Sequence, residues 1–337
     1  MTEAAVSRSA PSSPSVEPRS LPVGAIAMVA VAVAVVVFRD QLATRFASGE
    51  AREWMTVFIA VSVQALPFLV MGVVLSSGLT ALISPGALAR LLPRRGPAAV
   101  VTAGLAGMAL PGCECGAVPI AGRLIRNGVP AAAALTFLLA APAINPIVLV
   151  ATATAFPGQP ELVLARFAAS LATAVIMGLI WLRIGSPDAF DHLARRLNAH
   201  DPSRPAWERF TESASHDLLH AGGWLVVGAA AAASLQVLVP ASWIDSLADN
   251  ALLAVLALAL LAVLLAVCSE ADAFVATSFT AFSPTARLAF MVVGPAVDIK
   301  LVALQYGTFG RRFTRVFAPL TFVVAVGCAA LAGQVLL

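Results

Sequence analysis

A chain of 337 residues that is 60% hydrophobic and only 12% charged, with a mean hydropathy of +0.91, is not a soluble globular protein, in which about one-quarter of residues are charged. It is an integral membrane protein. A formal net charge of +3 is too small for a nucleic-acid partner. Four cysteines (Cys113, Cys115, Cys268, Cys328) do not make a disulfide framework. Three of them fall at or beside breaks in apolar runs and read as free thiols, whereas Cys328 reads as packed or lipid-facing filler.

Residues 1–21 form a Ser/Pro/Ala-rich tail with the composition of disorder. Val23–Phe38 is expected to be an uncleaved transmembrane helix within a 22–53 unit, because no small-x-small site closes it. Trp54–Ile83 is long enough to cross a hydrocarbon core of about 30 Å, with Gln64 and Pro67 interrupting it. A basic loop with Arg90, Arg94 and Arg95 follows. Ala98–Leu110 then runs into PGCECGAVP at 111–119. Ala117–Ile125 resumes and ends at Arg126-Asn127-Gly128. Pro130–Phe156 carries AAPAINP in its middle, and Leu162–Ile184 reads as an ordinary span. These segments make a first half, 54–184. The polar stretch 185–217 reads as a cytoplasmic linker to a second half, 218–337. That half contains Leu218–Val239, Ala251–Val267 ending in CSEADAF, Thr285–Tyr306 with Gly294-Pro295, and Phe313–Leu337.

The halves repeat. Cys115 and Cys268, Pro142 and Pro295, and Asn145 and Asp298 are each separated by 153 positions. APAIN thus lies over GPAVD, and Phe137 over Phe290. Paired, interrupted hydrophobic segments in two halves mark a transporter's binding site. Charge supports a topology. If the stretches 98–126 and 251–283 are re-entrant hairpins, fifteen arginines share one side, and only Arg39, Arg45, Arg52, Arg166 and Arg287 lie on the other, as the positive-inside rule requires. The expected fold is an all-α polytopic membrane protein with about seven to nine transmembrane helices, in two related and inverted halves.

Broken backbone and ionisable groups at membrane depth are functional candidates. Cys113 and Cys115 are soft ligands, suited to Cu(I), Zn(II) or thiophilic metalloids. Their Pro/Gly setting argues for a turn rather than a continuing helix. Cys268 supplies a third sulfur if the two breaks meet, and three thiolates suit a trivalent arsenical. The alternative is a Pro/Gly turn with inert, packed thiols. Glu114, Glu270, Asp272 and Asp298 must be protonated or paired. Lys300 is the only lysine in the chain. It meets Asp298 only if the Gly294-Pro295 break distorts the helix, giving a charge pair or proton-coupling site; otherwise it snorkels to the interface. Asn145 can contact a solute or bond carbonyls freed by Pro142 and Pro146. His216 and His220 form HDLLH, not the zinc-protease H-E-x-x-H, and read as the start of a span. No Walker A or dinucleotide-binding string appears, so an ATPase is not expected.

With these residues in view, the chain resembles a family of predicted membrane permeases that includes the ArsP organoarsenical exporters. PGCECGAVPIAGRLIRNG, FLLAAPAINPIVL, CSEADAFVA and GPAVDIK carry the resemblance, from about residue 54 to 337. It implies a cell-membrane permease rather than an enzyme, without a cofactor. Its partners would be the lipid bilayer and a small-molecule or metalloid solute. It makes Cys113, Cys115 and Cys268 the ligands to carry over. Many members read CSCG where this chain has Glu114, a harder and more anionic centre that leaves a divalent metal open. The expected function is export of a thiophilic solute, such as a trivalent (organo)arsenical, by alternating access. The rivals are a permease for a metal or another small solute, a membrane thiol-redox enzyme using Cys113 and Cys115 (although a C-x-C disulfide is strained), and an assembly partner.

Overall fold

The computed structural model describes residues 49–82, 96–109, 113–185, 190, 205–238 and 250–337. The tail, the run 23–38, the basic loop and most of the polar linker lie outside the described residues. Backbone groups in a bilayer find no water, so an apolar run must bond internally and becomes helix. Accordingly the described residues hold helices and no strand. They are α1 (Gly49–Leu82), α2 (Pro97–Ala106) with a short 3₁₀ turn at Gly107–Ala109, α3 (Glu114–Arg126), α4 (Ala131–Ile144), α5 (Pro146–Ala155) and α6 (Pro160–Ile184). The second half supplies α7 (Ala206–Leu238), α8 (Ala251–Leu265), α9 (Asp272–Ser278), α10 (Pro284–Ala296), α11 (Ile299–Phe309) and α12 (Arg311–Leu336). Proline opens α2, α5, α6 and α10, where its missing N–H costs no helix bond.

Among the described residues, five stretches are long and apolar enough to span a membrane: Ala51–Gly78, Ala131–Ala155, Pro160–Ile184, Pro284–Phe309 and Arg311–Leu336. The protein is multi-pass. Helix α7 starts at Ala206, so the last part of the expected linker is already helical.

Side-chain neighbours fix how the helices run. Trp54 Nε1 donates to Ser234 Oγ at 3.0 Å, so α1 and α7 pack along each other in opposite directions. Gly228 of α7 lies against the Lys300 backbone, and Trp224 against Gly307, so α11 also runs opposite to α7. One end of the bundle gathers Trp181, Phe190, Phe309, Phe313 and Phe317 in ring contacts. Arg123 and Asp217 lie toward that end, and we call it the arginine end. At the opposite end Gly333 meets Thr285. Helix α2 starts near the arginine end, where Val100 touches Gly178. It finishes mid-bundle, where Gly107 meets Ala140 and Ala141. Helix α3 then returns to the arginine end.

Two apolar stretches break mid-way, and in the same manner. Asn145 ends α4 and caps α5: its Oδ1 accepts from Val148 N at 3.0 Å, and its Nδ2 donates to the Ala141 carbonyl at 2.9 Å. Asp298 does the same for α11, its Oδ1 accepting from Leu301 N at 2.6 Å. Each is an N-cap that replaces a missing helix bond.

Two expectations are corrected. Cys113-Glu114-Cys115 is not a turn: Cys113 is the extended N-cap of α3 (φ −85°, ψ 174°), and the helix continues through Pro119. The proline forfeits a bond to the Cys115 carbonyl. The helix survives because α1, α4 and α11 pack around it and offset a cost of about 3 kcal/mol. Arg166, counted with the surface cations, is wholly buried.

Candidate functional site

The middle of the bundle brings the two cysteine segments together. Cys113, Glu114 and Cys115 each aim a donor atom into one spot, these atoms lying within 4.8 Å of one another. The extended backbone at Cys113, the N-cap of α3, does this, where a regular helix would point residues two apart in different directions. Cys113 is within hydrogen-bonding reach of both Cys115 and Cys268. Cys268 thus reaches Cys113 from a distant segment, while the donor atoms gathered within 4.8 Å are those of Cys113, Glu114 and Cys115. All three thiols are buried and unlinked.

A close glycine contact holds the first segment. Any Cβ on Gly72 of α1 would overlap the Gly116 backbone, and one on Gly116 would lie 2.8 Å from the Phe68 carbonyl oxygen. Small residues allow such backbone approach between membrane helices. It seats Glu114 and Cys115 deep in the bundle.

Glu114 is fully buried, and so is its counter-ion. Lys300 Nζ donates to Glu114 Oε1 at 2.6 Å and to the Ala266 carbonyl at 3.1 Å. It lies 3.6 Å from Asp298 Oδ2. Asp298 and Lys300 thus come together because the backbone is extended at Asp298, where a regular helix would point residues two apart in different directions. The closer partner, Glu114, was not foreseen. Buried charges require such pairing.

Cys268 lies on the non-helical segment 266–271 between α8 and α9. Its thiol donates to Glu270 Oε2 at 2.9 Å. Glu270 is half-buried, and its Oε1 has no hydrogen-bond partner among the described residues. Ser269 Oγ lies 3.5 Å from both Glu114 Oε2 and Glu270 Oε2. Asp272, one turn further on, does not face the thiols. It pairs with Arg166 of α6, whose NH2 reaches Asp272 Oδ2 at 2.7 Å and the Ser269 carbonyl at 3.2 Å, while NH1 donates to Thr152 Oγ1 at 2.7 Å. Asn145 is occupied with the backbone bonds of its break. Sequence reasoning passed over Arg166, Ser269 and Thr152. An arginine six residues into α6 was the available signal, since a charge inside a span marks a partner.

The far end of α3 is held by a second ion pair. Arg123 bonds Asp217 and Ser213 of α7, and Arg126 lies 3.8 Å from Asp217. Asp217 precedes the apolar run of α7. Burial pushes its carboxyl up, but the His216 hydrogen bond and the Arg123 and Arg126 charges outweigh burial and hold it at about 2. His216 and His220 stack at 6.1 Å, and His220 Nε2 lies 2.8 Å from the Gly307 carbonyl oxygen. Cys328 is buried in α12.

Comparison with known proteins follows the same outline. The chain is 35% identical over 288 residues to the UPF0718 protein YcgR of Bacillus subtilis (strain 168), covering 83% of this chain and 95% of that one. It is 32% identical over 277 residues to a protein of Streptococcus mutans serotype c (strain ATCC 700610 / UA159), with coverage of 81% and 92%. That relative carries, as a prediction, the description of a two-component membrane permease complex subunit. No solved structure matches. The family model ArsP_1, described as a predicted permease, matches residues 50–334. These residues take in every element from α1 to the last turn of α12. The chain therefore belongs to the ArsP_1 family of predicted permeases and is a multi-pass permease of the cell membrane.

Proposed function

We propose that this permease exports a thiophilic solute through a site made by Cys113, Cys115 and Cys268, with a trivalent (organo)arsenical as the best-fitting cargo. The observation that carries the reading is the buried cluster of Cys113, Glu114 and Cys115 at the Glu114–Lys300 pair, with Cys268 of the second segment beside Cys113. Trivalent arsenic takes soft sulfur donors. Each As–OH condenses with a thiol to give As–S and water, so a neutral solute enters a buried site without adding charge. Two sulfurs hold an arsenical bearing one organic group, and a third suits the inorganic form. Glu270, Asp298 and Lys300 supply the proton or charge exchange that accompanies release.

In this reading α2–α3 and α8–α9 are re-entrant hairpins entering from opposite membrane faces. Each half adds three crossings: α1, α4–α5 and α6, then α7, α10–α11 and α12. That makes six crossings among the described residues, and the second half is inverted relative to the first. The equivalent caps of Asn145 and Asp298, 153 positions apart, support this repeat. Rocking of the halves gives alternating access.

Expression of the wild type and of the Cys113→Ser, Cys115→Ser and Cys268→Ser variants in arsenical-sensitive cells tests the reading. Resistance to phenylarsenous acid should be lost in all three. Loss in the first two with Cys268 dispensable would favour dithiol redox chemistry instead. A second reading is supported by the donor set Cys113, Glu114 and Cys115, which also suits a divalent soft metal. Zinc or cadmium resistance without arsenical resistance would select it. The description of the S. mutans relative adds a second chain to the complex, which copurification would reveal.

A further inference from the structure

Among the described residues, two buried ion pairs outside the thiol site share an arrangement. Each joins a helix beside one cysteine segment to a helix of the other half. Arg123 of α3 bonds Asp217 of α7, and Asp272 of α9 bonds Arg166 of α6. They also lie on opposite sides of the site. Lys300 packs against Gly228, so Asp217, eleven residues earlier on α7, is about 16 Å toward the arginine end at 1.5 Å per residue. Thr152, which holds Arg166, is seven residues beyond the Asn145 break, about 10 Å toward the opposite end. Arg166 itself is fifteen residues from Trp181, about 22 Å from the aromatic cluster of the arginine end.

We propose that Arg123–Asp217 and Arg166–Asp272 are the two gates of the transport path, one on each side of the thiols. The proposal rests on the alternating-access reading above. Both pairs are formed and the thiols are buried, which is the geometry of an occluded state. A relative rotation of the halves must stretch pairs that bridge them, and an off-centre pair on one side opens while its counterpart stays shut. The opposite-end pair is tied to the site directly, because the guanidinium that holds Asp272 also holds the Ser269 carbonyl next to Cys268. The arginine-end pair acts along α3, whose first turn carries Cys115. Arg166 Nε and Asp272 Oδ1 have no hydrogen-bond partner among the described residues, so the opposite-end gate is held by fewer bonds than its groups can make. Separating buried charges is costly unless water reaches them, which ties opening to hydration of one side at a time.

Thiol accessibility tests this without any transport assay. Right-side-out and inside-out vesicles bearing the protein, in a Cys328→Ala background, are treated with a membrane-impermeant maleimide. Asp217→Asn should speed labelling of the site cysteines by about tenfold or more from one face only, the population change that about 1.4 kcal/mol produces. Asp272→Asn should do so from the other face only. The charge-exchanged doubles, Arg123→Asp with Asp217→Arg and Arg166→Asp with Asp272→Arg, should restore protection, which separates gating from misfolding. Labelling of both variants from the same face, from both faces at once, or at the wild-type rate overturns the proposal. Arsenical resistance that persists with the thiols replaced would sink the cargo and leave these labelling rates untouched, so the gates and the cargo fail separately.

Discussion

The two cysteine segments do similar work with different construction. Cys113 and Cys115 stand on the first turn of a thirteen-residue helix set by backbone contact between Gly72 and Gly116. Cys268 stands on a short non-helical segment leading to a seven-residue helix. That segment is hung from side chains: Lys300 holds the Ala266 carbonyl, and Arg166 the Ser269 carbonyl. One segment is fixed by close-packed backbone, which moves little. The other is fixed by long cationic side chains, which can re-aim. Under the proposed function, the difference gives the site a rigid donor pair and an adjustable third donor, which would suit solutes with two or three open valences.

The largest effect is expected where one residue serves both segments. Lys300→Met strips Glu114 of its counter-ion and frees the Ala266 carbonyl. A buried charge left unpaired should cost about 3–5 kcal/mol, seen as a lower unfolding temperature in detergent. Adding Glu114→Gln should recover most of it; a double variant no better than the single would show that the pair is not what joins the segments. Gly72→Ala attacks the rigid segment alone. The added methyl meets backbone rather than a flexible side chain, so a loss of about 1–3 kcal/mol is expected. Phenylarsenous acid titration should show weaker binding through Cys113 and Cys115, and unchanged affinity would sink the idea that the glycine contact sets their position.

Acid tests the base of the same helix. The Asp217 carboxyl is depressed to about 2 in the folded protein, below its ordinary value near 4. Its contribution, about 2 kcal/mol, is therefore fully present above about pH 4 and is lost as pH falls toward 2. Unfolding temperatures at pH 5, 3 and 2 should show this decline, and Asp217→Asn should flatten it. The smallest effect concerns the adjustable segment. Ala266 has φ 48° and ψ 39°, a left-handed conformation that costs an L residue roughly 1–2 kcal/mol. Ala266→Gly should raise stability by up to about 1 kcal/mol after the entropy of the unfolded glycine is offset. A loss in unfolding temperature would mean that the Ala266 methyl, itself buried, matters more than the backbone strain.

Much of this architecture is legible in the chain because its boundaries are chemical. Pro97, Pro146, Pro160 and Pro284 each open a helix, and the 153-residue spacing pairs the breaks before any contact is known. What stays hidden is set by packing over long separations. Glu114 and Lys300 are 186 positions apart, and no local pattern links them. The helix through Pro119 defies local propensity because its neighbours, not its own residues, hold it. Gly72 and Gly116 are two of 23 glycines, and nothing near either marks it as the close contact. Arg166 is hidden differently: a rule that sorts cations by loop treats every arginine as surface charge, and this one is interior.

The helix starts themselves carry a further consequence. Aligned peptide dipoles place roughly half a positive charge at a helix N-terminus. Glu114 is the first residue of α3, where that field favours an anion. Lys300 is the second residue of α11, where the same field repels a cation. The α11 dipole therefore pushes the ammonium off its own helix, while the α3 dipole steadies the carboxylate that receives it. The bond between them is a property of two helices aimed at one point, and an entering cation of greater positive charge density would compete with the amine for that carboxylate.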